Sequence, residues 1–116
     1  MMKHNPLNHL LLQEFPYLKE HFSEYGNGAF DMDVPASSLY EGLFVPYLEM
    51  IVNQDDKDEL MHCLYFLEEL INGNEEESIL AVSAVLTPLY EHKQVDFETL
   101  PLGEKCLAYY QNWLKN

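Results

Sequence analysis

The side chains in this sequence best able to perform chemistry are five histidines and two cysteines. His4 and His9 lie five residues apart, which places them on different faces of a helix. His62 directly precedes Cys63, and successive helical positions do not converge on one metal ion. No Ser-His-Asp spacing, nucleophile elbow, phosphate loop or dinucleotide fingerprint is present. We therefore predict no catalytic residue, no cofactor and no metal site, and hence a protein that is not an enzyme.

Cys63 and Cys106 are far apart in the sequence, and each lies in an apolar helical context. We predict two buried free thiols and leave a disulfide as the alternative. The N-terminal run "MMKHNPLNHLLLQEFP" is interrupted by polar residues and is not followed by a small-residue cleavage site. No apolar run approaches the roughly 18 residues of a membrane span. The sequence thus predicts a cytoplasmic protein.

The charge is strongly acidic: 20 Asp and Glu face only 6 basic residues, which gives a formal net charge of −14, and all six are lysines. Arginine is the side chain best suited to bidentate phosphate or guanine contacts, and the chain has none. An anionic surface also repels nucleic acid and anionic lipid. We therefore expect no nucleic acid or membrane as partner, and a basic protein instead.

The acidic residues fall into clusters that antiparallel helices would gather at two poles, about 20–25 Å apart for a 15-residue helix. An alternative is that they are solvated helix N-termini that favour the helix dipole and keep the protein in solution. Calcium is disfavoured, because "NQDDKDE" lacks the glycine and distal Glu of an EF-hand loop. The residues that we predict to contact a basic partner are Asp31, Asp33, Glu75 and Glu76 at one pole, and Asp55, Asp56, Asp58 and Tyr90 at the other.

Helix start and stop signals predict two helices before residue 35 and further helices after it. Asn5 and Pro6 are typical of a helix start, and that first helix should end at about Phe15. A second helix should run from Pro16 to Gly26, followed by a loop over 26–34. From residue 35 a paired apolar stripe predicts a helix to about residue 52, with a kink or break before Pro46. The acidic linker "NQDDKDE" and the amphipathic helix "ELMHCLYFLEELI" follow.

The segment "GNEEESILAVSAVLTPLY" combines an acidic triplet with the most apolar run. Asn74 is a predicted N-cap, and Glu77 stands at the capping-box spacing, so the triplet occupies a first helical turn. Its β-branched content also permits a strand, but the continuation to Tyr90 favours helix. Pro88 should bend or end this helix. After an irregular connection, Pro101 should open a last one. The apolar stripe of the first of these helices is Ile79, Val82, Leu86 and Leu89, and Leu80, Ala81, Ala84 and Val85 cover much of its remaining surface, so we expect it to be the central helix. The stripe of the last helix is Leu102, Cys106, Tyr109 and Trp113, with Leu107, Tyr110 and Leu114 beside it.

These elements predict a single all-α domain over residues 1–116, built from about six antiparallel helices. The segments "LLQEFPYLKEHF", "YFLEELINGNEEESILAVSAVLTPLYE" and "PLGEKCLAYYQNWL" resemble a family of small acidic helical bacterial proteins, some of which are similar to immunity proteins of polymorphic toxin systems. Members tend to carry a Glu shortly after "AVSAVL", where this chain has Thr87 and Pro88. The resemblance implies an α-solenoid-like stack of helix pairs and a protein-binding role, and an irregular helical bundle is the alternative fold.

Tyrosine and tryptophan are abundant for a helical core of this size, and both anchor protein interfaces. We therefore predict a non-enzymatic protein-binding domain, most concretely an immunity-type inhibitor that covers a basic toxin domain. The alternatives are a helical adaptor or regulatory protein that self-associates as a homo-oligomer and, third, an enzyme or metal protein. The aromatic residues in question are Tyr40, Tyr47, Tyr65, Tyr90, Tyr109, Tyr110 and Trp113.

Overall fold

The computed structural model describes residues 6–18 and 35–115, and over these residues every regular element is helical. This confirms the predicted all-α fold. A short helical turn over 16–18 follows the first helix. The predicted second helix beyond that turn and the loop over 26–34 lie outside the described residues. The helices are α1 (Pro6–Glu14), α2 (36–54), α3 (Lys57–Ile71), α4 (75–92) and α5 (104–114).

Short turns make neighbouring helices antiparallel. Only Asp55 and Asp56 separate α2 from α3, and residues 72–74 separate α3 from α4. Asp55 ends α2 in the left-handed conformation, with φ 58°. The predicted linker over 53–59 is therefore wrong at both ends, because α2 continues to Gln54 and α3 begins at Lys57. Helix α3 packs between α2 and α4 and also against α5.

Two prolines lie inside continuous helices, and in both cases a π-helical stretch precedes them. In α2 the stretch is Tyr40–Phe44, and in α4 it is Ala81–Leu86; Pro46 and Pro88 are each the second residue after it. The wider i→i+5 turn adds a residue before the ring that would otherwise clash with the preceding turn. Of the alternatives predicted for these prolines, the break at Pro46 and the helix end at Pro88 are therefore wrong, and the kink and the bend stay predictions. The strand alternative for "ILAVSAVL" is also excluded, because this run is helical.

The centre of the core is an aromatic cluster contributed by two helices, α2 and α3, and by the residue after α1. The Phe15 ring lies 5.2 Å from Phe44 of α2 and 5.2 Å from Phe66 of α3. Tyr40 is fully buried, and its hydroxyl donates a 2.6 Å hydrogen bond to the Leu7 carbonyl of α1. Aromatic packing and one buried hydrogen bond thus attach α1 to the remaining helices.

The predicted buried stripes of the last two helices are wrong in part. In α4, Ile79 is 57% exposed, whereas Leu80, Ala81, Ala84 and Val85 are buried. The buried positions recur every four residues because the π-helical stretch widens the turn beyond 3.6 residues.

The last helix begins at Glu104 rather than at Pro101, and it too ends in a π-helical stretch, Tyr110–Leu114. Tyr110, predicted beside the stripe, is buried, whereas Trp113, predicted on it, is 71% exposed. Within the described part of the chain, no helix combines the length and the apolar character needed to cross a membrane.

Candidate protein-binding surface

The acidic clusters lie at the two ends of α3, as the antiparallel arrangement predicts. Asp55, Asp56 and Asp58 surround the start of α3, and Glu75 and Glu76 begin α4, directly after α3 ends. Helix α3 has 15 residues, so the two clusters are separated by about 22 Å. All five side chains are exposed. We call these clusters the 55–58 pole and the 75–77 pole.

At the 75–77 pole, part of the charge caps a helix. The Asn74 side chain accepts the Glu77 N–H at 2.8 Å, and the Glu77 carboxylate accepts the Asn74 N–H at 2.9 Å. This is the predicted capping box. Glu75 and Glu76 form no side-chain hydrogen bond to another described residue. Asp31 and Asp33, which we expected beside them, lie outside the described residues.

At the 55–58 pole, one carboxylate has the same capping role. Asp56 is the N-cap of α3 and accepts the Glu59 N–H at 3.2 Å. The Asp55 and Asp58 carboxylates pair with no described lysine or histidine and remain directed at solvent. Tyr90, the eighth predicted contact residue, is half-buried, and its ring packs against Phe97, at 5.5 Å between centroids. It is a packing residue more than an exposed anchor.

An apolar groove runs beside the 55–58 pole, and sequence reasoning did not predict it. A cavity of about 440 Å³ lies between α3, the end of α2 and the connection after α4. A second cavity of about 290 Å³ continues along α3 towards Glu68. Met61 and Pro101 line both cavities, so the two form one depression, which we call the α3 groove. Its apolar lining includes Val52, Leu60, Met61, Tyr65, Leu100 and Pro101.

Two large side chains project from the wall of the α3 groove. Met61 is 42% exposed and Tyr65 is 70% exposed, and their four-residue spacing places them on one face of α3. Asp55, Asp56 and Lys57 form the rim at one end. The groove thus combines an apolar wall with a net negative rim. The sequence did contain a signal for this face, because Met61 and Tyr65 form a second apolar i,i+4 pair beside the predicted stripe through Leu60 and Leu64.

Glu68 closes the far end of the groove and attaches α5 to α3. Its carboxylate accepts the N–H groups of Lys105 at 2.8 Å and Cys106 at 3.1 Å. Gly103, the N-cap of α5, offers no side-chain cap of its own. Partial burial acts to raise the pKa of Glu68, but these hydrogen bonds together lower it below its usual value. The ionised carboxylate therefore acts as the N-cap that the α5 sequence lacks.

A second polar cluster connects α1 to α3. His62 Nε2 lies 2.8 Å from the Glu14 carboxylate, and Nδ1 lies 3.2 Å from the Glu59 carboxylate. The Glu59 carboxylate also accepts a hydrogen bond from the Tyr47 hydroxyl. The hydrogen bond with Glu14 is the largest cause of the raised pKa of His62, and Glu59 adds to it. The His62 ring also packs on Phe15, at 4.5 Å between centroids. This arrangement fixes α1 in place.

Thiols and metal-ligating side chains are the described groups best able to perform chemistry. Cys63 and Cys106 are free and buried, and burial raises the pKa of both thiols, which keeps them protonated and unreactive. Over residues 6–18 and 35–115, no group of three or more His, Cys, Asp or Glu side chains is arranged to hold a metal ion. Tyr110, whose hydroxyl donates to Glu98, has a pKa raised to about 12, first because of that hydrogen bond.

Comparisons of the chain with protein-family models, with curated protein sequences and with solved structures found no match. The resemblance to immunity-type proteins therefore stays a prediction that rests on sequence motifs alone.

Proposed function

We propose that this protein is a non-enzymatic domain that binds a basic protein partner, most concretely an immunity-type inhibitor that covers a cationic bacterial toxin domain. The observation that carries the proposal is the set of exposed carboxylates at both ends of α3, in a chain with a net charge of −14 and no arginine. Complementary charge accelerates encounter and disfavours wrong partners. Inhibition then needs only occlusion of the partner's functional surface.

The remaining chemistry fits a binding role inside the cell. Buried free thiols at Cys63 and Cys106 suit a reducing cytoplasm, where disulfides are rare. The same side chains are protonated and inaccessible, so they supply no nucleophile. His62 is occupied by two carboxylates and an aromatic ring. These features support a structural role for the groups that could otherwise have been catalytic.

The second candidate is a helical adaptor that self-associates. Exposed Tyr65 and Trp113 favour it, because large exposed aromatic side chains are typical of interfaces. Two copies of the chain would each carry a net charge of −14, and this repulsion opposes association at low salt. Light scattering over a range of protein concentrations at about 50 mM and about 300 mM salt separates the two candidates. A constant monomer mass argues against the adaptor.

The test of the main proposal is affinity capture from the source cell with the immobilised protein. A cationic protein should be enriched at about 50 mM salt and weakened at about 300 mM, because exposed charges are screened beyond about 10 Å at 0.1 M. A captured protein that arrests growth when expressed alone should lose that effect when this chain is co-expressed. If no cationic protein is enriched over bare resin, or if salt leaves its retention unchanged, the proposal is wrong.

A further inference from the structure

The 55–58 pole and the α3 groove share a rim, so one partner segment can contact both. Asp55 and Asp56 line the first cavity together with Leu60 and Met61. The exposed fractions of Met61 and Tyr65, 42% and 70%, leave most of this wall open. The 75–77 pole lies at the opposite end of α3. The larger apolar cavities therefore adjoin the 55–58 pole, whereas the cavity beside Glu77 has a volume of about 90 Å³. An apolar centre with a polar rim is the usual composition of an interface.

The net negative charge at the rim of the α3 groove favours a cationic occupant. Among the residues that the structure describes, Lys57 is the single cation lining the first cavity, and two carboxylates, those of Asp55 and Asp56, line the same end. A cationic side chain at this rim gains complementary charge, whereas a second copy of this chain would bring further negative charge. Along α3, Lys57 to Glu68 spans about 16 Å, which accommodates about three helical turns or five extended residues. The groove thus has room for a short segment rather than for a whole domain face.

We infer that the α3 groove binds a short lysine- or arginine-rich segment of a partner protein, with its apolar side chains against Met61 and Tyr65 and its cations beside Asp55 and Asp56. The inference rests on the proposed function and assigns it to one of the two acidic poles. Met61 is the central contact, because it lines both cavities. A flexible thioether adapts to apolar side chains of different shapes.

A direct test uses synthetic 12-residue amphipathic peptides and methyl NMR of methionine. The probe has lysine and leucine at helical spacing, and the matched controls replace every lysine by glutamate or every leucine by serine. Met61 reports on the groove, and Met50, which lines a different cavity beside Tyr47, is the internal control. The lysine–leucine peptide should shift the Met61 methyl signal and leave that of Met50 in place at about 20 mM salt. Both control peptides should leave Met61 unshifted.

Two pairs of variants, each matched in charge change, test where the peptide binds. Met61→Lys places a cation in the groove, and Ile79→Lys makes the same charge change at an exposed apolar residue of α4. The first should weaken the lysine–leucine peptide at least tenfold, and the second should change its affinity less than twofold. Asp55→Asn with Asp56→Asn should weaken it about three- to tenfold, and Glu75→Gln with Glu76→Gln should have little effect. Asn retains the capping ability of residue 56.

The alternative outcomes overturn the inference in distinguishable ways. If only the variant with Glu75→Gln and Glu76→Gln weakens peptide binding, and Met61 stays unshifted, the peptide binds at the other pole and the proposed function is unaffected. Equal binding of the glutamate–leucine peptide removes the charge selection. A concentration-dependent Met61 shift without peptide, together with a dimer mass, identifies a second copy as the occupant. If Met61 stays unshifted at about 1 mM peptide, the groove assignment is wrong. The proposed function is judged separately, by the affinity capture and its salt dependence.

Discussion

Glu68 holds the last helix of the chain against α3, and Gly103 leaves room for it to do so. A Cβ added at Gly103 would lie 2.5 Å from the Glu68 Cδ and Oε1 atoms, which is closer than van der Waals contact allows. Gly103→Ala should therefore displace the carboxylate that accepts the α5 N–H groups. Glu68→Ala removes the same carboxylate directly. The two substitutions are expected to destabilise the protein through one shared interaction.

The magnitude follows from the two hydrogen bonds at 2.8 and 3.1 Å. Loss of an N-cap side chain costs about 0.5–2 kcal/mol, and loss of a carboxylate at a helix N-terminus costs about 0.3–1 kcal/mol. Because Glu68 is only half-buried, we expect a decrease of about 1–2 kcal/mol in the free energy of unfolding for Glu68→Ala. Gly103→Ala should cost about as much in the native protein and about 0.5 kcal/mol or less in the Glu68→Ala background.

The assay is urea denaturation of the four proteins of this double-mutant cycle, followed by helical circular dichroism and by the fluorescence of the single tryptophan, Trp113, in α5. Because the pKa of Glu68 is lowered in the folded state, its stabilisation is fully present above the unfolded pKa of about 4.5. It is lost as the pH falls through the lower folded value. The difference between the native protein and Glu68→Ala should therefore shrink below about pH 4. Additive effects within about 0.3–0.5 kcal/mol would refute the shared-carboxylate explanation.

Substitutions at three further residues test other parts of the fold. His62→Gln should lower the free energy of unfolding more at pH 5.5 than at pH 9. Because the pKa of His62 is raised by its hydrogen bond with Glu14, its stabilising contribution is complete below the unfolded pKa of about 6.5 and is lost as the pH rises through the folded value. Equal effects at both pH values would contradict this. Tyr40→Phe should lower the free energy of unfolding by about 1 kcal/mol, because the buried hydrogen bond from the Tyr40 hydroxyl to the Leu7 carbonyl is removed. Thermal unfolding measures this, and an unchanged melting temperature would argue against that hydrogen bond. Asn74→Ala should cost about 1 kcal/mol and Asn74→Asp much less, as measured by urea denaturation; equal costs would exclude the cap.

Local signals predicted the helix boundaries that depend on a few neighbouring residues. Pro6 begins α1, Asn74 and Glu77 form the capping box, and the paired stripe of α2 is buried along nearly its whole length. The stop before Pro16 is also correct, since α1 ends at Glu14. Such signals are short-range, because capping and periodicity depend on residues within about one turn.

The errors have a common cause in the π-helical stretches and in tertiary capping. A 3.6-residue period placed Ile79 on one stripe with Leu86 and Leu89, but Ile79 is exposed and the other two are buried. The wider turn over Ala81–Leu86 lies between them and rotates the helix face. No residue near Gly103 signals the start of α5, because its cap comes from Glu68, 35 positions earlier in the chain. The α3 groove escaped prediction for the same reason: its opposite wall is an irregular connection whose position depends on packing.

Asp55 is an acidic residue that can contact a partner, and its carboxylate is not needed to cap a helix. Asp56 and Glu77 are needed as caps, but Asp55 lies at the C-terminal end of α2 with φ 58°, a conformation that glycine or asparagine adopts more readily. Its carboxylate forms no hydrogen bond to another described residue, and the unfavourable dipole at the end of α2 is opposed by the favourable one at the start of α3. Asp55→Asn should therefore leave the free energy of unfolding unchanged or raise it by up to about 0.5 kcal/mol, while it weakens the lysine–leucine peptide. Urea denaturation and the methionine NMR titration measure the two effects on one variant. A loss of more than about 1 kcal/mol would make Asp55 a structural residue, and undiminished peptide binding would remove it from the rim of the binding site.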